Sequence, residues 1–97
     1  MIEARVDFET RSAVDLKKRG AYPYFECPHF KPLIMAYQIG NGLTRAWVWG
    51  EPCPPDLALH IKAGGIIRAW NAAFERQCFA WLTKHCGWPA VALTQFR

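Results

Sequence analysis

The chain has 97 residues, which is enough for one domain or part of one and too few for two complete domains. Hydrophobic residues make up 52% of the sequence and charged residues 21%, so a folded core is expected and a disordered chain is excluded. The formal net charge of +4 favours a polyanionic partner only weakly, because many ordinary domains carry a similar charge.

The first predicted element is a strand over residues 4–10, where apolar and charged side chains alternate. Val6 and Phe8 point to one face of this strand, and Asp7 and Glu9 point to the other. Two carboxylates on one strand face are explained either by exposure to solvent or by a place in a cleft.

A turn of helix and an aromatic loop are predicted next. Ser12 is a candidate N-cap for a helical turn over residues 12–19, and Gly20 ends that turn. Residues 21–32 contain three prolines and four aromatic residues. Because prolines interrupt helices, this stretch predicts an ordered loop held by its aromatic side chains.

Two β-rich runs, over residues 33–40 and 43–49, flank a Gly-Asn-Gly sequence. Such a cluster is a strong signal for a tight turn, so the two runs predict an antiparallel hairpin.

The second half of the chain predicts a helix, a strand and a longer helix. The first helix covers residues 54–63, and the strand covers residues 66–70. Asn71 is a good N-cap, and it is followed by a helical pattern over residues 71–86 that Gly87 ends.

These elements predict an α/β fold with a mixed sheet, in the order β-β-β-α-β-α. A connection through helix 54–63 favours parallel pairing between strand 66–70 and strand 4–10. We therefore expect strand 4–10 at the centre, with the antiparallel hairpin 33–49 on one side and strand 66–70 on the other.

The spacing of three carboxylates predicts a cation site. Asp7 and Glu9 are two residues apart on their strand, so their Cβ atoms lie about 6.5–7 Å apart on one face. Glu75 shares a helix face with Asn71 and could approach this pair from the helix that follows strand 66–70. Mg²⁺ is typically held by one or two carboxylates together with phosphate oxygens. We expect the three groups to converge on a common cation, with the pKa of at least one raised by mutual repulsion.

Two short motifs resemble those of the DEDD, or DnaQ-like, 3′–5′ exonucleases. The sequence DFET at residues 7–10 resembles their first motif, DxE, and the sequence NAAFE at residues 71–75 resembles their second motif, NxxFD. The wider run DFETRSAVDLKKRGAYPYFECP, the hairpin, GEPCPP and NAAFER are together similar to the N-terminal region of phage-type family A DNA polymerases. The resemblance covers nearly the whole chain.

The resemblance implies an RNase H-like fold and hydrolysis of phosphodiester bonds from the 3′ end of DNA, with two Mg²⁺ or Mn²⁺ ions as cofactors. It implies three catalytic and metal-binding carboxylates: Asp7 on both ions, Glu9 on one ion and the attacking water, and Glu75 on the other ion. It also implies contacts to nucleic acid from Thr10, Arg11 and Asn71. Asn71 would cap its helix, and Phe74 would pack that helix against the sheet.

Three departures from the family pattern bear on activity. Glu75 stands where the family usually has Asp, and Trp70 stands where His often precedes the Asn. The third motif of the family, which carries a Tyr or His general base and a fourth carboxylate, would lie beyond Arg97. Residues 1–97 are therefore expected to form one partial exonuclease-like domain that is incomplete on its own.

Single-stranded 3′ ends of DNA are the implied partner, and the bacterial host cytoplasm is the implied location of a phage or prophage product. No membrane association is expected, because no stretch approaches the roughly 20 apolar residues of a membrane span. Two alternatives stay open. One is a non-catalytic nucleic-acid-binding or protein-interaction module derived from this domain. The other is a zinc site that uses cysteines with His29 or His85.

Strand 66–70 would be an exposed sheet edge in such a partial domain. A homo-oligomer, or a partner that completes the sheet, is therefore expected through this strand or through the tail at residues 88–97. The alternative is that the tail folds back and covers the edge itself.

Overall fold

A computed structural model describes residues 2–12 and 21–97, without the side chains of residues 21–23. In this part of the chain the strands and helices are, in order, β1 (Glu3–Arg11), α1 (Ala21–Glu26), β2 (Lys31–Ile39), β3 (Arg45–Val48), α2 (Pro55–Lys62), β4 (Ile66–Ala69) and α3 (Ala72–Cys86), with a final 3₁₀ turn at Leu93–Gln95. The predicted α/β class is confirmed. None of these helices is long and apolar enough to cross a membrane.

Strand β1 is central in a sheet with the order β3-β2-β1-β4. It pairs antiparallel with β2 and parallel with β4, and β2 pairs antiparallel with β3. The predicted hairpin, the central position of β1 and the parallel β4 are all confirmed. Gly40 begins the hairpin turn with a φ of 58°, a left-handed conformation that glycine adopts without a steric penalty.

Helices α2 and α3 contribute to one core with the apolar face of β1, which we call the covered face. Val6 and Phe8 of β1 are buried there with Leu57 of α2 and Phe79 of α3. The rings of Phe8 and Phe79 meet edge to face, with their centroids 5.3 Å apart. Each such side chain stabilises the fold by roughly 1.5–3 kcal/mol through burial.

The opposite side of the sheet, which we call the open face, carries Asp7 and Glu9 on β1. Ile34 of β2 and Val48 of β3 lie opposite each other on this face, and both are exposed. In the described part of the chain, the sheet therefore has helices on one face and a partly apolar, uncovered surface on the other.

The loop prediction for residues 21–32 is wrong at both ends. Residues Ala21–Glu26 form helix α1, and β2 already begins at Lys31. Pro23 is the third residue of α1, where a backbone N–H has no acceptor inside the helix, so proline removes no hydrogen bond there. The predicted helical turn over residues 12–19 lies outside the described residues, except for Ser12.

The aromatic packing predicted for this stretch is present. The rings of Tyr24, Phe25 and Phe30 are buried, and their centroids lie 4.7–5.6 Å apart. Ser12 joins the end of β1 to this cluster, because its hydroxyl donates a hydrogen bond to the backbone carbonyl of Tyr24 at 2.9 Å.

The C-terminal tail covers part of the β4 edge. Phe96 forms a parallel bridge with Ile67, and the N–H of Arg97 donates to the Ile67 carbonyl at 3.0 Å. The buried Gln95 amide donates to the carbonyls of Ile61 and Gly65, at 3.1 and 2.9 Å. Of the two expectations for this edge, the structure favours the tail that folds back.

Candidate functional site

The candidate site lies where β4 ends beside β1. Pairing between these strands runs only as far as Val6 and Ala69, whereas β1 continues to Arg11. After Ala69 the chain turns away through Trp70 into helix α3. In the described structure, β1 beyond Val6 therefore has no β4 neighbour on this side. We call this place the site edge; it comprises residues 7–8 of β1 and residues 70–75.

Asn71 fixes the start of helix α3 at the site edge. Its side-chain oxygen accepts a hydrogen bond from the N–H of Phe74 at 3.3 Å, and its carbonyl accepts one from the N–H of Glu75 at 3.0 Å. The predicted cap is confirmed, and Gly87 ends the helix with a φ of 72° as expected. The cap places Glu75 in the first turn.

Glu75 is turned inward, towards β1. Its side chain is only 3% exposed, and its Oε2 atom is buried without a hydrogen-bond partner among the described residues. The pKa of Glu75 is raised to about 7, chiefly by burial; a hydrogen bond from the backbone of Phe8 opposes this rise, and the charge of Asp7 adds to it. The expectation that one carboxylate pKa is raised is confirmed. Burial, rather than mutual repulsion, is the larger cause.

Asp7 and Glu9 are both exposed on the open face, as the alternation of β1 predicted. Glu75 approaches β1 from the covered face, so it comes near the Phe8 backbone and within the field of Asp7. In residues 2–12 and 21–97, no three His, Cys, Asp or Glu side chains form a group that could hold a metal ion. The expected convergence of the three carboxylates is therefore not seen in the described residues: Asp7 and Glu9 lie on the open face of β1, and Glu75 reaches the same strand from the covered face.

A zinc site is not seen in the described residues either. The cysteines and the two histidines considered for it, His29 and His85, are in the described part of the chain, and they belong to no group of three ligands there. Cys78, on the inner side of α3, is fully buried and far from a metal-binding role, because burial raises the pKa of its thiol strongly.

Thr10 and Arg11 lie at the end of β1, next to the site edge. The Thr10 hydroxyl shares a hydrogen bond of 2.6 Å with the hydroxyl of Tyr24, which the sequence did not indicate. Arg11 is exposed opposite Lys31 of β2. The strand pairing shifts register between Glu9 and Thr10, so the last residues of β1 are offset from the regular ladder.

The role expected for Phe74 is corrected by the structure. Its ring centroid lies 5.3 Å from that of Phe25 and 6.1 Å from that of Tyr24, so Phe74 joins α3 to α1. The ring of α3 that packs edge to face on β1 is Phe79. The first turn of α3 lies beside α1, a helix where the sequence pattern predicts a loop.

Trp70 is the most exposed large apolar residue of the site edge, and no sequence pattern predicts this exposure. It is 99% exposed, although it follows a paired strand directly and precedes the helix cap. The sequence places Trp70 directly before the predicted N-cap, Asn71. A tryptophan that follows an apolar run is ordinarily expected in a core.

The fold and the site define a small α/β unit with a carboxylate-bearing central strand and a buried helix glutamate beside it. A DNA polymerase from Bacillus phage SP02 is 36% identical to this chain over 78 residues, which cover 77% of the chain and 12% of the polymerase. The chain is thus related to a region of a phage DNA polymerase and spans about an eighth of that protein's length. No family model and no solved structure matches the chain.

Proposed function

We propose that residues 1–97 are a partial RNase H-like domain, the 3′–5′ exonuclease-like part of a phage-type DNA polymerase. In this proposal Asp7, Glu9 and Glu75 hold Mg²⁺ or Mn²⁺, and the partner is the 3′ end of a DNA single strand. The similarity to a phage polymerase supports the polymerase relationship. The order of the strands and helices, with the two motifs on β1 and at the start of α3, supports the exonuclease assignment.

The observation that carries the proposal is the unpartnered Oε2 of Glu75. Leaving a polar group buried without a partner costs about 1–3 kcal/mol, and more for a charged group, so a retained buried carboxylate calls for a partner. A divalent cation is a fitting one, because carboxylate oxygens are preferred ligands of Mg²⁺. A nearby cation would also favour the ionised form, which burial disfavours here.

The early end of β4 supports a single site for carboxylates that lie on two faces of β1. Where a neighbouring strand has ended, the sheet edge is accessible from both faces. Glu75 is held in place by its helix cap and its burial, whereas Asp7 and Glu9 are exposed and have room to change rotamer. When bound, divalent cations would supply an activated water and neutralise charge on the phosphodiester.

The nucleic-acid contacts proposed for this site are Thr10, Arg11 and Asn71, which lie around the site edge. Arg11 and Asn71 are exposed, so Arg11 can contact a phosphate and the Asn71 amide can still donate to the DNA while its oxygen caps α3. The third motif of the family, with its general base and fourth carboxylate, is not among residues 1–97. Hydrolysis by this chain alone is then expected to be slow or absent.

The proposal is tested by the anisotropy of a 5′-labelled DNA single strand with Mn²⁺ or with EDTA. We expect binding that needs Mn²⁺, that is lost in Glu75→Gln and that is kept in Glu26→Gln, a control at an exposed glutamate of α1. A circular single strand, which has no 3′ end, should compete poorly. Equal binding with Mn²⁺ and EDTA, or unchanged binding by Glu75→Gln, would contradict the proposal.

A non-catalytic binding module is the second candidate function. It is favoured by the exposed Ile34 and Val48 on the open face and by the separation of the three carboxylates in the described structure. This candidate predicts DNA or protein binding that is the same with Mn²⁺ and with EDTA and that Glu75→Gln does not change.

A further inference from the structure

Trp70 differs from the other tryptophans of the described chain in its surroundings. Trp47 and Trp88 are buried and stack edge to face, with their centroids 5.1 Å apart. Trp81 is partly buried and Trp49 is 38% exposed, and their ring centroids lie 5.8 Å apart. Trp70 is 99% exposed, and no other described tryptophan comes close to this value. The hydrophobic effect gives no reason to leave so large an apolar side chain wholly in water.

The backbone on both sides of Trp70 is fixed. Ala69, which precedes it, is paired with Val6 in the parallel ladder, and Asn71, which follows it, is the N-cap of α3. Trp70 is thus the first residue beyond the paired end of β4, at the point where the chain turns away from β1 into α3. The exposed indole belongs to the site edge, which also holds Glu75, whose Oε2 is buried without a hydrogen-bond partner among the described residues.

We propose that Trp70 is a stacking platform for a nucleobase near the 3′ end of the DNA strand that the site edge binds. The inference rests on the proposed function and names how that site would hold its substrate. An exposed indole presents a large flat π surface, and stacking on it tolerates every base. Because the flanking backbone is already ordered, only two side-chain torsions are fixed on binding.

The test compares two 5′-labelled single strands with Ca²⁺ in place of Mn²⁺, so that binding is measured without hydrolysis. One strand is intact, and the other lacks the bases of its two 3′-terminal nucleotides. We expect Trp70→Ala to weaken binding of the intact strand about 5- to 150-fold, the effect typical of one stacked base. Trp70→Phe should keep most of the affinity. On the abasic strand, the wild type and Trp70→Ala should bind alike.

The control variant is Leu59→Ala, which removes an exposed apolar side chain from α2. It should bind both strands as the wild type does. Unchanged binding of the intact strand by Trp70→Ala would overturn the inference, and so would an equal loss on the abasic strand. A wild-type dimer that Trp70→Ala converts to a monomer in sedimentation, with DNA binding unchanged, would assign the indole to a protein contact and overturn the inference as well.

The Glu75→Gln variant separates this inference from the proposed function. If Trp70→Ala shows the base-dependent loss while Glu75→Gln leaves metal-dependent binding unchanged, the stacking role stands and the cation site fails. If Glu75→Gln abolishes metal-dependent binding while Trp70→Ala binds both strands like the wild type, the cation site stands and the stacking role fails.

Discussion

The two faces of strand β1 differ in what they contact. On the covered face, Val6 and Phe8 are buried against α2 and α3, and this packing stabilises the fold. On the open face, Asp7 and Glu9 are exposed and contribute charge rather than packing. Glu75 is an exception to this difference. It belongs to a helix of the covered face, but its side chain is a carboxylate at the site edge.

Burial raises the pKa of two groups on α3, with different consequences for their charge. Cys78 and Glu75 both face inward, and burial raises the pKa of each. The thiol is neutral at ordinary pH in any case, so its burial costs no charge. The carboxyl of Glu75, with a pKa of about 7, changes its charge near neutral pH. A group that is unfavourable for packing at neutral pH points to a role outside packing.

The largest expected effect is on the covered face. Phe79→Ala should lower the free energy of unfolding by about 3–5 kcal/mol, because it removes a ring that is 1% exposed and leaves a cavity over Phe8. Asp7→Asn, on the open face, should change it by no more than about 0.5 kcal/mol. Urea denaturation measures both, and similar losses from the two variants would remove the distinction between the faces.

Glu75, buried on the covered face, should make the free energy of unfolding depend on pH. The pKa of Glu75 rises from 4.5, its ordinary value, to about 7 in the folded protein. The folded state therefore holds this proton more tightly than the unfolded state. Its stabilising effect is fully present below pH 4.5 and is lost as the pH rises through 7, by up to about 3 kcal/mol.

The wild type should therefore lose stability from pH 5 to pH 8 while Glu75→Gln does not, so the stability of the variant relative to the wild type should increase over this range. Urea denaturation at pH 5 and at pH 8 measures the difference. The Glu26→Gln control, at an exposed glutamate, should follow the wild type at both pH values. Parallel pH profiles for the wild type and Glu75→Gln would show that the Glu75 carboxyl is not in the buried surroundings described.

A smaller effect is expected where the tail extends the covered face beyond β4. Gln95→Ala should lower the free energy of unfolding by about 1–2 kcal/mol, because it removes the amide that donates to the carbonyls of Gly65 and Ile61, of which Ile61 keeps a second donor, the N–H of Gly64. Thr94→Ala, at an exposed neighbouring position, is the control and should change little. If Gln95→Ala is as stable as its control, the tail does not hold the β4 edge.

The sequence was sufficient for features that depend on local chemistry. The alternation of residues 4–10, the Gly-Asn-Gly turn and the capping ability of Asn71 act over a few residues, and all three are confirmed. The central place of β1 followed from the handedness of the crossover through α2, which is a general rule of parallel pairing.

Features that depend on long-range packing could not be predicted in the same way. Helix α1 forms although its sequence contains a proline, because its aromatic side chains are buried against Phe74 of α3. The depth of Glu75 depends on how α3 lies across β1, and a helix glutamate is ordinarily exposed. The full exposure of Trp70 follows from the direction of the chain after β4, which no local pattern specifies.

Binding of Mn²⁺ in the absence of DNA measures whether Glu75 and the carboxylates of β1 form a cation site. The signal of free Mn²⁺ in electron paramagnetic resonance, measured at pH 8 where Glu75 is ionised, reports the bound fraction. If these carboxylates form a cation site, Glu75→Gln and Asp7→Asn should each weaken Mn²⁺ binding at least about tenfold, while Glu26→Gln should bind as the wild type does. Equal binding by all four proteins, or no binding by the wild type, would contradict a cation site here.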